Sequence, residues 1–124
     1  MTVHLDTSAL IGALSGGRPH LPALIRLADA GERLTFSTIV LYEWLRGPRT
    51  HAELALQEEL FSREHAVVFG AAEADLSARL YTRVKKSRGR EMDIAIAACA
   101  LVHGGALWTL NRDDFRDIPD LKLV

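Results

Sequence analysis

Acidic side chains occur at four places where an apolar run gives way to the start of a new element. They are Asp6, Glu43, Asp93 and the Asp113–Asp114 pair. Two unit charges about 4 Å apart repel by roughly 4 kcal/mol at an effective dielectric near 20, so carboxylates that converge need a compensating cation. Oxygen ligands suit Mg²⁺ and Mn²⁺, whereas the chain has a single cysteine and none of the paired histidine spacings of a zinc site. The pattern predicts a site for a hard divalent cation.

The elements that must position these acids alternate between short apolar strands and longer helices. Strands are predicted at residues 3–5, 33–36, 66–69 and 106–110, with a fifth at 121–124. Helices are predicted at residues 8–14, 22–30, 39–46, 51–64, 71–86 and 93–103. Continuously apolar strands separated by helices are typical of a parallel sheet covered on both faces. We therefore expect an α/β fold with four to five central strands.

The acids are expected to meet at one edge of this sheet. Ligands of parallel α/β proteins bind outside the carboxyl ends of the strands. Asp6 and the segment 111–114 follow strands directly, and Glu43 and Asp93 reach the same edge from helices. Supporting polar groups at this edge are predicted to be Thr7, Ser8, Thr109 and Asn111.

Each acid also has a purely structural interpretation. Asp6 could cap the helix that follows it, for which Asp is a favoured residue. Glu43 could be an ordinary charge on a helix surface, although large apolar residues surround it in the sequence. Asp93 could stabilise the N-terminus of its helix through the macrodipole. Its i+3 and i+4 neighbours are apolar, however, and a carboxylate on such a face needs a partner.

The composition predicts one domain spanning residues 1–124, large enough to bury roughly two-thirds of its unfolded surface. The net charge of −1 indicates that any phosphate binding depends on local basic patches. Cys99 is alone, which excludes an internal disulfide and fits a reducing cytoplasm. The sequence has no apolar run of the ~20 residues needed to cross a bilayer, so we expect a soluble cytoplasmic protein.

Four motifs in order resemble those of the PIN-domain family, and within it of VapC-type toxins from bacterial toxin–antitoxin pairs. They read H-L-D-T-S-A-L-I, Y-E-W-L-R-G, E-M-D-I-A-I-A-A-C-A-L and L-W-T-L-N-R-D-D-F-R-D-I-P-D-L-K-L-V. The resemblance covers essentially the whole chain. It implies an endoribonuclease that depends on Mg²⁺ or Mn²⁺, with Asp6 and Asp93 as metal ligands and Glu43 beside them. It also implies a homodimer and a cognate antitoxin whose C-terminal arm covers the acidic pocket.

One position departs from the family pattern. Many members of the family have a fourth acid just after the last central strand, where this chain has Asn111. Asp114, three residues later, is our candidate for the fourth catalytic acid beside Asp6, Glu43 and Asp93. Turn-forming Asn and Asp residues bond their own backbone, so the identity of the fourth ligand stays open between Asn111, Asp113 and Asp114.

An RNA substrate near an acidic site requires a cationic rim to hold its phosphates. The candidates close in sequence to the acids are Arg46, Lys85, Lys86, Arg88, Arg90 and Arg112. The alternative is a set of solvated charges at helix ends.

Two other functions compete with the nuclease interpretation. A receiver domain also has acids at its strand ends, but it needs an acceptor Asp closing the third strand, where A-V-V-F-G has none. A non-catalytic PIN scaffold that binds RNA or protein is kept open by Asn111.

Overall fold

A three-stranded parallel sheet lies at the centre of the computed structural model, which describes residues 1–124. Its strands are β1 (Thr2–Leu5), β2 (Arg33–Thr35) and β3 (Ala106–Trp108), in the order β2-β1-β3. Val3 of the central strand pairs with Leu34 on one side and Ala106 on the other. Since both pairings are parallel, the carboxyl ends of all three strands lie at the same edge of the sheet.

Six helices flank this sheet. They are α1 (Thr7–Leu14), α2 (Leu21–Asp29), α3 (Thr38–Arg46), α4 (His51–Leu60), α5 (Ala71–Arg83) and α6 (Glu91–Val102). Short 3₁₀ turns cover Arg63–His65 and Arg112–Asp114. The predicted α/β class with a parallel sheet is confirmed.

The predicted strand count is wrong. Residues 66–69 and 121–124 form isolated parallel bridges, Ser37 with Val67 and Leu107 with Leu123, rather than strands. Ser37 is the N-cap of α3, so the segment that pairs with Val67 becomes helical directly after Ser37 and cannot form a second pair. In the C-terminal segment, Asp120 has a positive φ of 64° and bends the chain just before the residues that bond to Leu107.

Several helix ends also differ from the prediction. The fourth helix ends at Leu60 rather than residue 64, where the side-chain amide of Gln57 donates to the carbonyl of Phe61. The fifth ends at Arg83 rather than residue 86, and α6 begins at Glu91, two residues before its predicted start. Asp93 therefore lies inside the first turn of α6.

The core is formed where α1, α3 and α6 pack on the sheet. Its largest fully buried side chains include Trp44, Phe36 and Leu10. Helix α6 places small residues, Ala97 and Ala98 among them, against its neighbours with no exposed surface. Small side chains let the backbones approach closely, which brings the first turn of α6 near the end of β1. No helix combines the length and the apolar character required to span a membrane.

Candidate active site

A cleft of about 330 Å³ opens at the carboxyl edge of the sheet. Its lining residues are Asp6, Thr7, Ser8, Ile11, Glu43, Arg46, Asp93 and Asn111. Three elements distant in sequence supply the acids: the end of β1, the middle of α3 and the first turn of α6. The structure thus brings together the three acids for which the sequence predicts metal ligation.

Asp6 is held at the end of β1 with its side chain buried, and the residue is 4% exposed. Its backbone amide continues the sheet ladder by donating to the carbonyl of Trp108, 2.9 Å away. Although Asp6 occupies the N-cap position of α1, its side chain makes no capping bond. The carboxylate instead accepts, through Oδ2, the hydroxyl protons of Thr109 at 2.7 Å and Ser8 at 2.8 Å.

The two hydroxyls are themselves oriented by the backbone. Ser8 Oγ accepts the amide proton of Leu110 at 3.0 Å, and Thr109 Oγ1 accepts that of Asn111 at 3.0 Å. Each hydroxyl proton is therefore directed at Asp6. This arrangement fixes the rotation of the carboxylate and leaves its Oδ1 without a protein donor.

Glu43 lies on the inner side of α3, which Ser37 caps by accepting from the amide of Val40. Its Oε1 accepts the hydroxyl proton of Thr7, and its Oε2 is 3.5 Å from a guanidinium nitrogen of Arg46. The side chain is only 16% exposed, which excludes an ordinary surface charge.

Asp93 faces an unfavourable environment for its charge. Burial, together with the nearby carboxylates of Asp6, Asp114 and Glu43, raises its pKa to about 6, and the positive charge of Arg90 opposes this shift. Position in the first turn of a helix normally favours a carboxylate. Here desolvation and like charges outweigh the helix dipole.

The donor set fits a hard divalent cation. Every acidic and hydroxyl group of the cleft offers oxygen, and a cation would relieve the repulsion that raises the pKa of Asp93. No three side chains among His, Cys, Asp and Glu are grouped closely enough to hold a metal ion as they stand. The acids line a cleft rather than converge on one point, which suits an ion such as Mg²⁺ that retains several waters and uses one or two carboxylates.

The candidates for the fourth acid occupy different places. Asn111 lines the cleft, whereas Asp114 lies on the exposed 3₁₀ turn after β3, close enough to act on the pKa of Asp93. Asp113 is 87% exposed and pairs with Arg116 at 2.9 Å. Of the two acids, Asp114 is the one whose charge reaches the cleft.

Four of the six predicted RNA-binding cations line the cleft or are exposed on the loop before α6. Arg46 lines the cleft, and Lys85, Lys86 and Arg88 are exposed on the loop between α5 and α6.

The other two cations are held by groups outside the cleft lining. Arg90 forms a bidentate pair with Asp117, at 2.7 and 2.9 Å. It is therefore not the free cation that the sequence suggests. Arg112 donates to the carbonyl of Val124 at 2.7 Å. Asp117 has no signal in the sequence, since no pattern indicates which loop acid a given arginine meets.

The fold and the cleft define a parallel α/β domain with carboxylates gathered at the carboxyl edge of its sheet. The model of the PIN domain family matches residues 3–121, and the chain belongs to that family. No curated protein matches the sequence significantly.

Solved structures share this fold over nearly the whole chain. A toxin–antitoxin complex from Klebsiella pneumoniae is similar at 28% identity and a TM-score of 0.72, covering 98% of this chain and 95% of that one. DNA-bound VapBC from Salmonella typhimurium has 23% identity and a TM-score of 0.77, covering 100% and 97%. VapBC-1 from nontypeable Haemophilus influenzae has 23% identity and a TM-score of 0.73, covering 100% and 97%.

Proposed function

We propose that this PIN-domain protein is a divalent-metal-dependent endoribonuclease and the VapC-type toxin of a toxin–antitoxin pair. The observation that supports it most strongly is the gathering of Asp6, Glu43 and Asp93 in one cleft, with the pKa of Asp93 raised to about 6. Such uncompensated charge destabilises a protein unless a cation binds there. The similarity to a toxin–antitoxin complex at 28% identity supports the assignment of the chain as the toxin of such a pair.

Asp6 and Asp93 would hold Mg²⁺ or Mn²⁺, with Glu43 beside them. The bound ion supplies charge stabilisation at the phosphate and makes water a better nucleophile at neutral pH. Ser8 and Thr109 hold the carboxylate of Asp6 in one orientation, and Thr7 holds that of Glu43. In this proposal Glu43 orients the attacking water, and Asp114 adds the fourth negative charge.

RNA needs cations to approach an acidic cleft. Arg46 is the basic residue of the cleft lining and lies 5.2 Å from the ring centre of Tyr42, which holds its guanidinium at the rim. It would contact a phosphate next to the scissile bond. Lys85, Lys86 and Arg88, exposed on the loop before α6, would hold the RNA strand further out.

The proposed partner is a cognate antitoxin, and the chain itself would form a homodimer in the cytoplasm. The antitoxin groove would lie along residues 22–46, whose helices flank Glu43 and carry large apolar residues. An apolar cleft of about 310 Å³ lies partly within this range, lined by Leu24, Ile25 and Leu34 and completed by Leu60 and Phe61 from the end of α4. An apolar segment of an antitoxin would cover the exposed side chains of Ile25 and Leu60 and the partly buried ones of Leu34 and Phe61.

The test is cleavage of labelled RNA in Mn²⁺ or Mg²⁺ by the wild type, Asp6→Asn and Asp93→Asn. We expect each variant to lose at least about a hundredfold in rate, since a ligand and its charge are removed. Asp75→Asn is the matched control, because Asp75 is an acid on α5 that is 68% exposed and pairs only with Arg79. Equal cleavage by all four proteins that a chelator does not abolish would reject the proposal.

A non-catalytic PIN scaffold is the second candidate, favoured by an amide at position 111 in the cleft lining. RNA binding without cleavage at any concentration of Mn²⁺ would establish it. In that case Asn111→Asp is the variant expected to gain metal binding.

A further inference from the structure

The guanidinium of Arg90 connects two segments beside the cleft, the loop before α6 and the stretch that follows β3. It donates to the carbonyl of Lys85 at 3.2 Å in the loop before α6 and to the carbonyl of Asp114 at 2.8 Å in the 3₁₀ turn after β3. Its two terminal nitrogens also bind the carboxylate of Asp117 at 2.9 and 2.7 Å. The side chain is 20% exposed, so water competes little for these bonds.

Arg90 is also the N-cap residue of α6, three residues before Asp93. Its own backbone is fixed because its amide donates to Ser87 and its carbonyl accepts from Ile94, each at 2.9 Å. The side chain therefore leaves the helix that carries Asp93 and reaches the backbone of Asp114. This contact links the start of α6, which carries Asp93, to the turn that carries Asp114.

Besides Arg90, the turn that carries Asp114 is held by the bond of Arg112 to Val124 and by that of the Asn111 amide to Thr109, neither of which involves residue 114 itself. Phe115 and Ile118 anchor it in the core, but residues 111–114 are exposed. Asp117, 49% exposed, holds Arg90 in a bidentate pair, the geometry in which an arginine–carboxylate contact is most specific. Lysine cannot reproduce that geometry, although it keeps the charge.

We propose that Arg90, held by Asp117, is a positioning residue that fixes Asp114 beside Asp93 and so completes the metal-binding cleft. This inference rests on the proposed divalent-metal site. It replaces the sequence-based expectation that Arg90 contacts RNA. Arg90 acts through Asp114 and touches neither RNA nor metal.

The direction in which Arg90→Gln changes the affinity for Mn²⁺ distinguishes a positioning role from a purely electrostatic one. If Arg90 acted only through its charge, Arg90→Gln would strengthen Mn²⁺ binding, because a cation near the site would be gone. If Arg90 positions Asp114, the same change weakens binding. Loss of a group that orients a metal ligand typically costs about tenfold to a hundredfold in affinity.

The experiment is a titration of the full chain with Mn²⁺ alone, followed by the electron paramagnetic resonance signal of the free ion. We expect Arg90→Lys, Arg90→Gln and Asp117→Asn each to bind Mn²⁺ at least about tenfold more weakly than the wild type. Arg79→Gln, which removes an exposed arginine paired with Asp75 on α5, is the control and should bind like the wild type. Circular dichroism at the titration temperature identifies the variants that are folded.

Arg90→Lys is the decisive variant, since it preserves the charge and only the geometry is lost. Unchanged affinity in folded Arg90→Lys and Asp117→Asn would overturn the inference and leave the metal site intact. Tighter binding by Arg90→Gln would overturn it as well, in favour of a pure charge effect. A wild type that binds no Mn²⁺ would instead reject the proposed function on which the inference rests.

Discussion

Glu53 and Asp93 both lie in the first turn of a helix, α4 and α6 respectively, yet their carboxylates meet opposite surroundings. Glu53 accepts bonds from the hydroxyl of Ser15 at 2.6 Å and from the amides of Thr50 at 2.8 Å and Gly16 at 3.1 Å. These bonds lower its pKa to about 2, with the Ser15 hydroxyl the largest cause. Burial and three other carboxylates raise the pKa of Asp93 to about 6.

The difference separates a structural acid from a candidate functional one. The bonds to Glu53 join the start of α4 to the end of α1 and stabilise the charged form. At Asp93 the protein gathers further negative charge instead of donors, a feature that serves ligand binding better than stability.

A bound divalent cation should stabilise the folded protein strongly. A ligand at a hundred times its dissociation constant adds about 2.7 kcal/mol to the free energy of unfolding. For a domain of this size we expect saturating Mn²⁺ to raise the melting temperature by roughly 10 °C over that in EDTA. Scanning calorimetry measures the shift, and the Asp6→Asn, Asp93→Asn double variant should lack it. A shift of equal size in the double variant would place the bound ion elsewhere.

Removal of one hydroxyl donor to Asp6 should weaken catalysis. Thr109→Val preserves the shape of the side chain but leaves the Asp6 carboxylate with only Ser8 as a hydroxyl donor. We expect RNA cleavage to slow about tenfold, the usual cost of losing a group that orients a metal ligand. The control is Thr82→Val, because the Thr82 hydroxyl donates only to a backbone carbonyl on the exposed face of α5. Cleavage at the wild-type rate would show that Ser8 alone fixes the carboxylate.

Asp93→Asn should stabilise the metal-free protein at high pH. The pKa of Asp93 is near 3.8 in the unfolded chain and about 6 in the folded one, so the folded state binds the proton more tightly. Its contribution to stability therefore falls as the pH rises from about 4 to about 6, and the penalty is complete above that range. Asparagine has no such penalty.

In EDTA we expect the variant to melt a few degrees above the wild type at pH 8 and to match it at pH 4. Thermal denaturation at both values measures the difference. A gain independent of pH would mean that charge crowding is not its cause.

Glu53→Gln should have the opposite sign and the smallest effect. The lowered pKa of Glu53 means that its contribution to stability is present above the unfolded value of 4.5 and is lost as the pH falls through about 2. We expect Glu53→Gln to lower the melting temperature slightly at pH 7 and to match the wild type near pH 2. A higher melting temperature at pH 7 would remove the contrast with Asp93.

Much of the fold was predictable because apolar runs and turn residues mark strands and helices directly. That Asp6, Glu43 and Asp93 line one cleft was also predictable, since the carboxyl ends of parallel strands share an edge. The two bridges at Val67 and Leu123 were predicted as strands because an apolar run does not show over how many residues the neighbouring segment remains extended.

Other features were missed for different reasons. The capping box of α4 has a readable signal, Thr50 followed three residues later by Glu53. The bond between buried Glu73 and His103, at 2.9 Å, joins α5 to the end of α6 and has no local pattern. The same is true of Arg90 and Asp117, which only the fold brings together.

Our main proposal is that the cleft at the end of β1 binds a divalent cation through Asp6 and Asp93. Its most direct test is a Mn²⁺ titration of the wild type and of the Asp6→Asn, Asp93→Asn double variant, with the free ion followed by electron paramagnetic resonance. We predict saturable binding by the wild type and at least about tenfold weaker binding by the variant. Equal affinity in the two proteins, both folded, would contradict the claim.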